Sequence, residues 1–119
     1  MAYRLTQAAE EQIDGVLLES ARRFGLDVAG RYGELILAVM AALGETPALI
    51  GSMPVSDLGV RAYPMRLARL RVAPDRRIGR PRHLVVYRLG AEAIVDILGL
   101  VHDRMVLSRA AQRLVEAGG

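Results

Sequence analysis

Two helical stripes meet at Gly25 with almost nothing between them, and that junction limits the fold more than any other feature of the chain. Ile13, Val16, Leu17, Ala21 and Phe24 recur at spacings of three and four, one apolar stripe of an amphipathic helix. Thr6 stands ahead of it as a good N-cap, with Glu10 and Glu11 in the first turn, where carboxylates favour the helix dipole. Gly25 closes it. After a gap of only two residues, Asp27 is placed to cap a second helix with the stripe Tyr32, Leu35, Ile36, Val39, Met40 and Leu43. Gly44 ends that pattern, and Pro47 lies beyond. So short a link forces the helices antiparallel, an αα-hairpin. Two stripes turned toward each other still leave apolar surface, so a further layer must cover the pair.

The remainder of the chain changes period. After a turn-rich loop from Gly44 to Gly59, residues 60–72 read as a strand, with Pro64 marking an edge or a bulge. Ala68, Leu70 and Val72 alternate there with Leu67, Arg69 and Arg71, giving one apolar face and one that becomes cationic. Ala73-Pro74-Asp75 turns the chain, and a basic loop runs to Pro81. His83 to Leu89 is a β-branched run that fits the middle of a sheet, with Tyr87 in the core beside Val85 and Leu89. Gly90-Ala91-Glu92 leads tightly into a strand over Ala93–Val101, and strands joined so closely are antiparallel. Asp103 is placed to cap a last helix bearing Leu107, Ala110, Ala111 and Leu114. Tyr3-Arg4-Leu5 makes a short extended start. The expected fold is α+β: an N-terminal antiparallel helical hairpin packed on a small antiparallel sheet, with a short C-terminal helix. Residues 1–119 are expected to form one domain without repeats or low-complexity linkers.

Charge is unevenly placed along that frame. Residues 1–59 hold four Arg against eight acids, 60–90 hold nine Arg against Asp75 alone, and 91–119 hold three against four; −4, +8 and −1 sum to the net +3. A field concentrated in one segment points to an anionic partner, either nucleic acid or an acidic protein surface. The chain has no Lys, so compositional bias explains why the cations are Arg; it does not explain why they cluster. The absence of cysteine excludes a disulfide framework and thiolate chemistry, and fits a reducing, cytoplasmic location. The opening Met-Ala-Tyr-Arg-Leu-Thr is not a signal peptide, and no apolar run is long enough to span a bilayer, so no membrane partner is expected.

The chemical inventory is thin. Ser and Thr total six, none in a nucleophile-elbow pattern, and His83 and His102 alone cannot hold a metal, so neither metal nor cofactor is expected. A histidine with several arginines would suffice for in-line RNA cleavage, with candidates Arg88, His102 and Arg104. Tyr87 is a further candidate, but alternation assigns it to the core, and His83, opening a strand, is read as structural. Base-stacking aromatics are missing from the basic region, and no recognition helix carries the charge, so sequence-specific DNA reading by this chain is not expected. A cationic sheet face with apolar grooves beside the hairpin suits an acidic segment that folds upon it.

Several motifs, in this order and spacing, resemble the ParE branch of the RelE/ParE toxin superfamily. Tyr3-Arg4-Leu5-Thr6-Gln7-Ala8-Ala9 is similar to that family's Tyr-x-Leu-Ser/Thr-x-x-Ala start. Ile13, Gly25, Tyr32 and Pro47 fall where members carry such residues. Arg61-Ala62-Tyr63-Pro64 resembles the entry to the second strand, His83 to Arg88 the central strand, and Leu100-Val101-His102-Asp103-Arg104-Met105 the terminal signature. The resemblance implies a toxin of a type II toxin–antitoxin pair, causing growth arrest by poisoning DNA gyrase and neutralised by a cognate ParD-like antitoxin. The sibling RelE branch cuts mRNA on the ribosome, commonly with a Tyr near the C-terminal end and often with lysines. Here Met105 follows Arg104, no Tyr occurs after Tyr87 and no Lys occurs at all, departures that favour the non-nuclease branch. The expected contact surface for target or antitoxin is Arg66, Arg69, Arg71 and Arg88 on the sheet, with His102, Arg104 and Met105 as a second element. No catalytic residue is assigned in that reading.

Overall fold

A computed structural model describes residues 3–55 and 57–118. Met1, Ala2, Ser56 and Gly119 lie outside them, so the leader reading at the first two residues and the full 1–119 extent of the domain do too. Strand β1 (Tyr3–Leu5) leads into helices α1 (Gln7–Phe24) and α2 (Leu26–Glu45); β2 (Met53–Pro54), β3 (Arg61–Pro64), β4 (His83–Leu89) and β5 (Val95–His102) follow, and α3 (Leu107–Gly118) ends the chain. The α+β architecture and the helical hairpin are as expected. The five strands lie in the order β1-β5-β4-β3-β2, every neighbouring pair antiparallel except β1 with β5. The sheet is therefore mixed, because the extended start adds itself along β5 with Leu5 opposite Ile97.

Local chemistry accounts for the hairpin. The Thr6 side chain accepts the Ala9 N–H at 3.1 Å, the expected N-cap. Gly25 sits at φ 95°, a left-handed conformation that suits glycine, and it alone separates the two helices. Asp27 is consequently not the cap of α2. The helix has already begun at Leu26, and Asp27 in its first turn pairs instead with Arg31 at 3.1 Å and Arg76 at 2.9 Å. Phe24, expected on the buried stripe, ends α1 and stays 64% exposed.

The sheet separates two cores. On one face α1 and α2 cover Tyr63, Val85, Tyr87, Val95, Ile97 and Leu100; on the other, Ala110, Ala111 and Leu114 of α3 cover Ala62, Val86, Leu98 and Val101. β4 is central, as its composition implied, and buries Val85, Val86 and Tyr87, but Leu89, expected in the core beside Tyr87, ends the strand 61% exposed. The Tyr87 hydroxyl donates to the Pro47 carbonyl, which satisfies the one polar atom that side chain brings inside.

The strand expected over 60–72 ends at Pro64. Residues Met65–Arg71 wind into a 3-10 helix, and Pro74–Arg76 form another short one. Met, Arg, Leu and Ala favour helix over strand. The buried positions Met65 and Ala68 are three apart, which matches three residues per turn. Leu70, placed on the apolar face by alternation, is 72% exposed. Strand β5 begins at Val95 because Glu92 and Ala93 both adopt φ 60° in the preceding turn. Asp103 does not cap α3, which starts four residues later at Leu107.

Candidate functional site

Where β4 begins, β5 ends, and the two histidines face each other: His83 is the Cα partner of His102, with ring centroids 5.2 Å apart in an edge-on arrangement. Helix α2 brings Tyr32 against them, its hydroxyl 2.6 Å from His83 Nδ1. Burial lowers the His83 pKa to about 4, with His102 adding to the effect and Asp103 opposing it, so the ring is neutral at ordinary pH. Nδ1 then accepts the Tyr32 hydroxyl proton, and the ring proton sits on Nε2. Burial likewise pushes Tyr32 up to about 12, keeping it a donor.

Around this group lies a groove of about 710 Å³. Val16 and Phe24 of α1, Val28 of α2 and Ile78 supply apolar walls, while Arg23, Arg80 and Arg82 stand at its rim. Gln12 reaches from α1 into the same space and accepts the Leu100 N–H at 2.7 Å, beyond the point where β1 stops pairing with β5. Arg82 binds both carboxylate oxygens of Asp103, at 2.8 and 3.0 Å, and holds that carboxyl below its usual range. His102 Nδ1 lies 3.1 Å from the Arg104 N–H and 3.2 Å from Asp103 Oδ1. Nδ1 accepts the first of these contacts when it carries no proton and donates to the second when it does.

The expected site residues do not form one surface. Arg66, Arg69 and Arg71 occupy the 3-10 helix, not a sheet face, and Arg69 Nε donates to the Ile78 carbonyl at 2.9 Å. Arg88 lies 3.6 Å from Asp96, which also binds Arg4. Five positions of β4 separate Arg88 from His83 and its partner His102, about 17 Å along the strand. The trio Arg88, His102 and Arg104 is therefore not assembled into one pocket. His102, Arg104 and Met105 do stay together, at the end of β5 and in the turn that follows.

With that geometry fixed, residues 3–107 match the model of the ParE toxin of type II toxin–antitoxin systems, parDE. The chain belongs to that family. The match takes in the hairpin and the whole sheet and ends at the first residue of α3. No match emerges among curated proteins. This ParE-family chain is accordingly a toxin of a type II toxin–antitoxin pair, whose partner in general is an antitoxin. Among the described residues no helix is long and apolar enough to cross a membrane, and no cluster of three or more His, Cys, Asp or Glu is placed to hold a metal ion.

Sequence reasoning did not anticipate the roles of Gln12, Tyr32 and Arg82 in this ParE-family groove. Gln12 carried a usable signal: a polar side chain four residues before Val16 shares its helix face. Nothing local pairs Tyr32 with a histidine 51 residues away.

Proposed function

We propose that this toxin inhibits DNA gyrase by binding it in the cytoplasm, and that a ParD-like antitoxin neutralises it. The family match over residues 3–107 carries the reading. The distribution of free charge supports it. Arg66, Arg71, Arg80 and Arg104 are exposed and make no side-chain hydrogen bond or ion pair among the described residues. Uncompensated guanidinium groups favour acidic protein surfaces and steer their approach. Met105, 48% exposed, adds a flexible apolar contact beside Arg104.

The endoribonuclease alternative draws less support. Arg88 stands a strand's length from His102, so the residues that reading needs do not meet at one scissile phosphate. The test is a gyrase supercoiling assay with the full, folded chain, read for inhibition and for cleaved DNA. The wild type is expected to produce both, and added ParD-like antitoxin to reverse both. Arg69→Glu with Arg71→Glu is expected to abolish inhibition or antitoxin binding, and Arg66→Glu with Arg71→Glu is the cleaner pair because Arg69 also holds Ile78. Growth arrest by folded toxin that leaves gyrase untouched would overturn the reading and return His102→Ala, scored for mRNA cleavage, to first place.

A further inference from the structure

The molecule carries an apolar ridge edged with unpaired cations and an apolar groove edged with unpaired anions. In a 3-10 helix, residues three apart eclipse one another, so Leu67 and Leu70 form one stripe, 49% and 72% exposed. Arg66 and Arg71 flank it with no internal ion pair among the described residues. The neighbouring loop extends the ridge. Gly51, at φ 101°, packs so close to Leu67 that a Cβ there would lie 2.5 Å from Leu67 Cδ1. Ile50 beside it is 94% exposed, more than any other large apolar residue described.

The counterpart is a groove of about 490 Å³ along the seam of α1 and α2. Ile13, Leu17 and Leu37 line it, and Gly33 leaves the seam open where a side chain would fill it. Glu10, Asp14 and Glu34 also line it. Arg76 occupies Glu34 at 2.6 Å, whereas Glu10 and Asp14 make no ion pair among the described residues.

We propose that the toxin binds a second copy of itself by seating the Leu67–Leu70 ridge of one copy in the acidic α1–α2 groove of another. Shape and charge select this occupant. The ridge is convex, aliphatic and cationic; the groove is concave, aliphatic and anionic; and they share no residue. Nucleic acid would meet Arg66 and Arg71 but leave the leucines in water, since the neighbouring Tyr63 is buried and offers no face for base stacking. A contact between two different patches is heterologous, so a copy with one patch reversed remains able to use the other. The contact covers Arg66 and Arg71, which makes their accessibility depend on toxin concentration. The inference stands apart from the gyrase reading, because its measurement is mass and not supercoiling.

Sedimentation equilibrium of the full-length toxin tests it, in low salt and again near 1 M, where the screening length falls to about 3 Å. Low salt is expected to give a mass-average above the monomer that rises with concentration, and high salt to lower it. Arg66→Glu with Arg71→Glu, and separately Glu10→Arg with Asp14→Arg, should each weaken association at least tenfold. Mixing the reversed-ridge and reversed-groove variants should restore it, since each retains one intact patch and the two reversed patches are again opposite in sign. Leu70→Ser, which leaves charge unchanged, should weaken association while leaving the thermal midpoint in place. A monomer under all conditions, association indifferent to both reversals, or folded variants that fail to complement one another would overturn the proposal.

Discussion

Replacing Gly99 by alanine is expected to loosen the molecule at the point where both of its cores meet β5. A Cβ at Gly99 would collide with Gln12 Oε1 and lie 2.8 Å from Leu114 Cδ2. Both atoms are side-chain tips, Gln12 on α1 and Leu114 on α3, so each must rotate away and give up its present contacts. Displacing Gln12 strands the Leu100 N–H, which it accepts at 2.7 Å, and an unsatisfied buried donor costs about 1–3 kcal/mol. Overpacking against Leu114 adds roughly 1–3 kcal/mol, and because Gly99 sits at φ 157° alanine gains nothing in return from the unfolded chain. The net expectation is a loss of about 2–6 kcal/mol, a fall in midpoint on the order of 10 °C for a domain of this size. Urea and thermal unfolding of Gly99→Ala, Gln12→Ala and the double variant measure it. Because removal of Gln12 also removes the main obstruction, Gly99→Ala should cost at least 1 kcal/mol less in the Gln12→Ala background. A single variant within about 0.5 kcal/mol of wild type, or strictly additive effects, would refute the reasoning.

The state of His83 makes stability depend on pH. The unfolded chain titrates this group near 6.5 and the folded chain near 4, so the unfolded state binds more protons between those values. Stability should be complete above about pH 6.5 and decline toward pH 4, by roughly 1–2 kcal/mol once partial exposure of the ring is allowed for, and His83→Gln should flatten that part of the curve. Ala68→Asp should unfold the domain by burying an unpaired carboxylate, while Leu70→Asp should shift stability by less than about 0.5 kcal/mol. Equal damage from both in thermal melts would favour a strand over the 3-10 helix. Tyr87→Phe leaves the Pro47 carbonyl without its donor, and denaturant titration should register a loss of about 1–2 kcal/mol.

The hairpin and the central strand were legible because their patterns are long and admit one period. The 65–71 segment was not, because Ala68 is buried whether the chain alternates or turns every three residues. Met65 and Leu70 separate the two readings, and the burial of one and the exposure of the other are tertiary facts. Asp27 has the composition of a cap, but the conformation of Gly25 starts the helix before it. The site was legible in part. His102 was singled out where β5 ends, yet its neighbours come from three distant segments: Tyr32 on α2, Gln12 on α1, and Arg82 with His83 where β4 begins. Long-range pairing of single polar residues leaves no periodic trace, so only the fold reveals it.

The arginine cluster itself acquires a different meaning in three dimensions. Of the nine arginines from Arg61 to Arg88, six engage groups of the chain itself. Arg61 binds Ser52, Arg69 the Ile78 carbonyl, Arg76 Asp27 and Glu34, Arg77 the Val72 carbonyl, Arg82 Asp103, and Arg88 Asp96. Four of these attachments gather the 69–82 stretch, which contains no strand and fully buries little beyond Val72 and Pro81. Such a segment has carbonyls to satisfy and little apolar surface to hold it in place. A guanidinium suits that task better than an ammonium, because its planar fork bridges two acceptors at once, as Arg76 does between α2 carboxylates and Arg82 across Asp103. The clustering that pointed to an anionic partner is therefore largely structural, and Arg66, Arg71 and Arg80 remain as its outward-facing part. Substituting lysine at Arg76 separates the two roles: the +8 of residues 60–90 is preserved while the fork is lost. Faster amide exchange over 72–78 with unchanged net charge is the expected result, and protection equal to wild type would mean that charge alone, not geometry, holds the segment down.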